Sequence, residues 1–162
     1  MRWICVLSAV AAALCVPAQA RDSLGVFDQW GAFRDAKGPR CYAIAEPART
    51  SSGRGNLRAF AAVGTWPKNG VRGQVHFHLS RERADGSALW LSIGERRFAL
   101  MAGKTDAWAQ EKRMDAAIVA AMRSSVRMSV EGKAKNGRSF YDIYTLKGAA
   151  TAMDAAALGC AK

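Results

Sequence analysis

The chain has 162 residues, half of them hydrophobic, with 24 basic against 13 acidic side chains. That length holds a single domain with a real core, and the apolar fraction excludes an intrinsically disordered chain. A net charge of +11 points to an anionic partner or surface and argues against a cationic one.

The first element is a targeting segment. "MRWICVLSAVAAALCVPAQA" opens with Arg2, runs apolar from Trp3 to Val16 and closes on Pro17 and Ala18-Gln19-Ala20. This is the layout of a secretory signal peptide cleaved after Ala20. The run falls short of the roughly 20 residues needed to span a bilayer. Leu14, in front of Cys15, does not suit a lipoprotein anchor. Residues 21–162 are then expected to form a single β-rich domain, periplasmic or secreted, without a transmembrane span. Removal of Cys5 and Cys15 leaves Cys41 and Cys160. An oxidising compartment predicts a disulfide between them. Two free thiols or a redox pair are the competing reading, but no Cys-x-x-Cys is present.

Short strand-like runs follow. "WGAFR" (30–34) and "RCYAIAE" (40–46) precede a polar loop at 47–56, then an apolar strand at 57–66 and a turn at 66–70. "VRGQVHFHLSRE" (71–82) alternates strictly. Val71, Gly73, Val75, Phe77 and Leu79 share a dry face; Arg72, Gln74, His76, His78 and Ser80 share a wet one. Asp85-Gly86 is a hairpin signal. Leu89, Leu91 and Ile93 alternate next, and Phe98 and Leu100 continue the pattern in 96–103. A helix is predicted over 114–125, with Asp115 as N-cap and Ile118, Val119 and Met122 on one side. Val126, Met128 and Val130 alternate again, and Asn136-Gly137 predicts a hairpin to 139–148. A last helix is expected over 149–159, with Thr151 as N-cap and Gly159 as its stop. The fold class is mainly β: an antiparallel sandwich or partly closed barrel of about eight strands with two short helices. Trp30, Trp66, Trp90, Trp108, Phe33 and Tyr42 are expected mostly in the core, with a binding groove as the alternative.

The only histidines, His76 and His78, stand two apart on one strand, so both rings share a face. A metal site would need a third ligand that the sequence does not specify. An exposed strand face explains the pair without one. No serine nucleophile motif, phosphate loop or dinucleotide fingerprint is present, and no pair of carboxylates stands out. The expectation is therefore no catalytic residue and no cofactor. Arg81, Arg83, Arg96, Arg97, Lys133, Lys135 and Arg138 fall at strand ends and turns, with Arg72 on the wet face of 71–82. Gathered together, they would make a cationic surface for lipopolysaccharide, phospholipid head groups or an acidic protein. Export makes nucleic acid an unexpected partner.

"WGAFRD", "CYAIAEP", the arginine-rich alternating region, "DAAIVAAMRSSVRMSV" and "YTLKGAATAMDAAALGC" together resemble the invasion-associated locus B family of bacterial envelope proteins. The likeness is to an alpha-proteobacterial branch and covers most of residues 25–160. It implies a small β-rich protein, periplasmic or attached to the outer membrane, of a kind linked in some pathogens with host-cell entry. It also implies that Cys41 is a half-cystine. Family members often carry further cysteines in mid-domain, and this chain has none there. Together these readings predict a non-enzymatic envelope protein. The alternative is a periplasmic hydrolase using His76 and His78 with a metal or as acid and base.

Overall fold

The computed structural model describes residues 21–35, 38–51 and 57–161. The expected signal peptide and the second half of the expected 47–56 loop, residues 52–56, lie outside them. In chain order the elements are β1 (Asp22–Phe27), β2 (Trp30–Asp35), β3 (Arg40–Ala45), β4 (Arg49–Thr50), β5 (Phe60–Trp66) and β6 (Val71–His78). They continue with β7 (Trp90–Ile93), β8 (Arg96–Ala99), β9 (Met101–Ala102), β10 (Asp106–Trp108), α1 (Lys112–Ser124), β11 (Arg127–Lys133), β12 (Ser139–Thr145) and α2 (Ala149–Gly159). The strands form a seven-stranded sheet in the order β1-β2-β3-β5-β6-β10-β9 and a five-stranded sheet in the order β4-β12-β11-β7-β8. All pairings are antiparallel. Each sheet ends on two edge strands, so the arrangement is a sandwich and not a closed barrel.

Side-chain size decides what covers each part of the seven-stranded sheet. Most inner positions of β2, β3 and β5 are small, namely Ala32, Cys41, Ala43, Ala45 and Ala61. That leaves room for a helix, and α2 packs there through Ala149, Ala152, Met153 and Ala156, a stripe at helical spacing. The inner positions of β6 are large and meet the other sheet. Phe77 lies 6.3 Å from Tyr144 of β12, ring to ring. Trp30 is fully buried, and its indole N–H donates to the Thr145 carbonyl at 2.9 Å. Cys41 and Cys160 are joined, with Cα atoms 5.8 Å apart across 119 residues. The bond fastens the end of α2 to β3.

Several expectations change. Among the described residues there are twelve strands where about eight were expected, because β1, β4 and β10 are short or irregular stretches with no alternation to announce them. The expected strand 96–103 splits at Leu100, with β8 in one sheet and β9 in the other. Asp85-Gly86 turns the chain, but it joins no hairpin. β6 pairs with β5 and β10, whereas β7 pairs with β8 and β11. The Asn136-Gly137 hairpin forms as expected, with Lys133 opposite Ser139. Gly73 lies in β6 on the side of Val119 of α1, but it sits at φ +66°, in an irregularity where the β5–β6 register shifts. Val126 lies outside β11 and is 83% exposed.

Neither predicted N-cap caps a helix. α1 begins three residues before Asp115, whose buried carboxylate instead accepts the Val75 N–H at 2.8 Å. Burial pushes the Asp115 carboxyl above the usual range, against that bond. Thr151 lies within α2, which starts after Gly148. Gly148 is at φ +84°, and a Cβ there would stand 2.0 Å from the Phe27 carbonyl oxygen. Gly159 does not stop α2 by a left-handed turn. It is the last helical residue, and a Cβ there would strike Leu24 at 2.5 Å. It is small so that α2 can close on β1.

Candidate functional site

Alternation on the five-stranded sheet sends Met128 and Val130 inward and Arg127, Ser129, Glu131 and Lys133 outward. Register then builds the outer face. Arg49 opposes Ile143, Ile143 opposes Ser129, Ser129 opposes Ser92 and Ser92 opposes Arg97, so the two arginines stand at opposite edges of one row. The neighbouring row runs Tyr141, Glu131, Trp90. A concavity of about 740 Å³ opens over these rows, with Arg49, Arg97 and Lys133 on its lining. Arg127 lines the adjoining depression, which it shares with Arg49 and Ile143. The Arg97 guanidinium lies over the Trp90 ring, 4.4 Å from its centroid. None of these four cations forms an ion pair among the described residues. Glu131, the one acid on the lining, accepts the Ser129 hydroxyl.

The structure uses the other expected cations differently. Arg83 donates to the carbonyls of Ala84, Ser87, Ala102 and Gly103 and so ties a turn to β9. Arg96 lies over Phe98 and donates to the Ala117 carbonyl. Lys135 pairs with Glu82 at 3.2 Å. Arg72 is exposed beside a groove between α1 and α2. Arg81 acts on buried Asp142 through its charge, and Arg138 is exposed beyond the β11–β12 turn. Of the expected set, Arg97 and Lys133 share the concavity. Arg49 was hidden in an expected loop. Arg127 carried a usable signal, since it alternates with Met128 and Val130.

The histidines lie on the outer face of the other sheet. Asp106 opposes His78, and Trp108 opposes His76. Asp106 Oδ1 is 2.9 Å from His76 Nε2 and 2.9 Å from His78 Nδ1, while Thr105 donates its hydroxyl to Oδ2 at 2.7 Å. A carboxylate only accepts, so each facing ring nitrogen carries a proton. His76 Nδ1 and His78 Nε2 are left for other partners. Trp108 stacks on His76 with centroids 5.1 Å apart; Phe60 stacks on His78 and meets His76 edge-on. Burial pushes the Asp106 carboxyl up, but the bonds from His78, Thr105 and His76 outweigh it and hold the group below its ordinary range. Among the described residues no three His, Cys, Asp or Glu side chains are arranged to hold a metal ion.

The expected aromatic core is smaller than the sequence suggested. Trp30 and Tyr42 are buried, whereas Phe33, Trp66, Trp90 and Trp108 are only half-buried on outer faces. No helix among the described residues is long and apolar enough to cross a membrane. No family model, curated protein or solved structure matches this chain.

Proposed function

We propose that this chain is an exported, non-enzymatic envelope protein of the invasion-associated locus B type, which binds phosphate-bearing envelope amphiphiles. The observation that carries the reading is the set of unpaired cations on one sheet face: Arg49, Arg97 and Lys133 around Trp90 and Tyr141, with Arg127 in the adjoining depression. Guanidinium forks match phosphate oxygens, and Trp and Tyr rings suit a surface with one apolar and one wet side. The Cys41–Cys160 bond fits an oxidising compartment.

The test is flotation with vesicles of phosphatidylcholine, with and without phosphatidylglycerol or lipopolysaccharide, at low and high salt. Binding that needs the anionic component, falls with salt and is lost on changing the four cations to glutamate supports the reading. Equal binding to phosphatidylcholine alone, or an unchanged variant, overturns it. Retention by an acidic protein in place of any vesicle overturns the choice of ligand.

One arrangement favours a second reading, a hydrolase. A carboxylate that fixes an imidazole's tautomer and leaves its far nitrogen available is the layout of a general base, and Asp106 does this for both His76 and His78. A hydrolytic activity abolished by His76→Ala with His78→Ala, with the fold intact, establishes it.

A further inference from the structure

The outer face of the seven-stranded sheet carries a second recess, distinct from the cationic concavity. Register lines up Phe33, Tyr42, Gly64 and Gln74 in one row, and Ile44, Ala62, His76 and Trp108 in the next. The small residues of β5 set the floor. A Cβ on Gly64 would stand 2.9 Å from two carbons of the Trp66 ring, so the indole lies flat on the sheet over a residue with no side chain. Trp66, Tyr42 and Phe60 line a cavity of about 260 Å³ together with Arg21, Arg40, Gln74 and His76. The Arg40 guanidinium sits 5.2 Å from the Tyr42 centroid and 5.4 Å from that of Trp66.

Charge gives the recess a sign. Arg21 and Arg40 share a single carboxylate, Asp35, at 3.7 Å and 3.2 Å. Among the described residues one positive charge is therefore left uncompensated. Arg40 Nε is buried and, although close to Asp35, is not aligned to hydrogen-bond to it or to any other group among the described residues. A donor without an acceptor is unfavourable, so the Arg40 side chain has hydrogen-bonding capacity to offer an incoming anion. Gln74 adds a donor and an acceptor, and His76 keeps Nδ1 outside its bond to Asp106. Size narrows the ligand further. The cavity is below the roughly 300–1,000 Å³ of sites for drug-sized molecules, which suits one ring.

We propose that this recess binds a single pyranose ring bearing an acidic group. The aromatic faces take the apolar C–H face of the sugar, Gln74 and His76 take its hydroxyls, and Arg40 takes the acid. The site is independent of the five-stranded face and stands or falls without it.

The experiment is titration of the full mature chain, followed by tryptophan fluorescence and calorimetry. The probes are trigalacturonate, glucose 6-phosphate, maltotriose and adenosine monophosphate. The expected result is that one or both acidic sugars bind at least about tenfold tighter than maltotriose. A preference for trigalacturonate identifies a carboxylate ligand, and one for glucose 6-phosphate a phosphorylated sugar. Arg40→Gln is expected to remove the preference for acid. Trp66→Ala is expected to weaken binding at least about tenfold, and Trp66→Phe to restore most of it if the ring face acts by stacking. Arg97→Glu with Lys133→Glu, on the other sheet, is expected to change nothing here. Equal affinity for maltotriose, tighter binding of adenosine monophosphate, full affinity in Trp66→Ala, or no binding of any sugar overturns the proposal.

Discussion

Asp142, on the inner face of β12, accepts two hydrogen bonds from Ser80, from its backbone N–H at 3.0 Å and from its hydroxyl, 62 residues away in sequence. Both residues are buried. The pair joins the end of β6 in one sheet to the centre of the other. Burial raises the Asp142 carboxyl above its ordinary range, more than the Ser80 bonds and the Arg81 charge lower it.

The sign of the pH effect follows. A carboxyl whose folded pKa lies above the unfolded value of about 3.9 favours the fold fully below that value and loses the contribution as pH rises through the folded pKa. Asp142→Asn removes the titration and keeps a donor and an acceptor for Ser80. The stability of the variant relative to the native chain is therefore expected to rise from pH 4 to pH 7, read from urea midpoints. Asp142→Ala leaves both Ser80 groups buried without a partner and is expected to cost about 1–3 kcal/mol for each.

Asp106 has the opposite sign. Its lowered pKa contributes stability above the unfolded value near 3.9, lost as pH falls through the folded pKa. The stability gap between the native chain and Asp106→Ala should accordingly be widest near neutral pH and narrow in acid. Side-chain nitrogen NMR should show His76 protonated at Nε2 and His78 at Nδ1 in the native chain when the rings are neutral, and mixed tautomers in the variant.

The disulfide closes a separation of 119 residues. In the chain-entropy account a loop of that order contributes about 4.7 kcal/mol, while removing a native bond typically costs about 2–5. Cys41→Ala with Cys160→Ala should lower the guanidinium midpoint accordingly. Hydrogen exchange should speed up first in α2, whose end loses its anchor on β3.

Two glycines with the same sign of φ should respond differently. Gly70, at φ +65°, has nothing within 4 Å of a built Cβ, whereas Gly148, at +84°, would meet the Phe27 carbonyl oxygen at 2.0 Å. Gly70→Ala is expected to cost about 1 kcal/mol from backbone strain alone. Gly148→Ala must also displace β1 from the start of α2, and its melting temperature should fall well below that of Gly70→Ala.

What the chain determined locally is what period and punctuation carry. The alternation of Val75, Phe77 and Leu79 with His76 and His78 placed the two rings on one outer face, and Asn136-Gly137 set the β11–β12 hairpin. Assigning Cys5 and Cys15 to an expected signal peptide singled out Cys41 and Cys160, which the structure joins. Tertiary structure decided the rest, because pairing between strands distant in sequence leaves no local mark. It brought Asp106 of β10 between the two histidines and sent the chain after Asp85-Gly86 to the other sheet. It used Arg83 on four carbonyls and set Arg49 in a row with Arg97. A strand's pattern tells which of its side chains face water. Only the register with its neighbours tells which of those side chains meet.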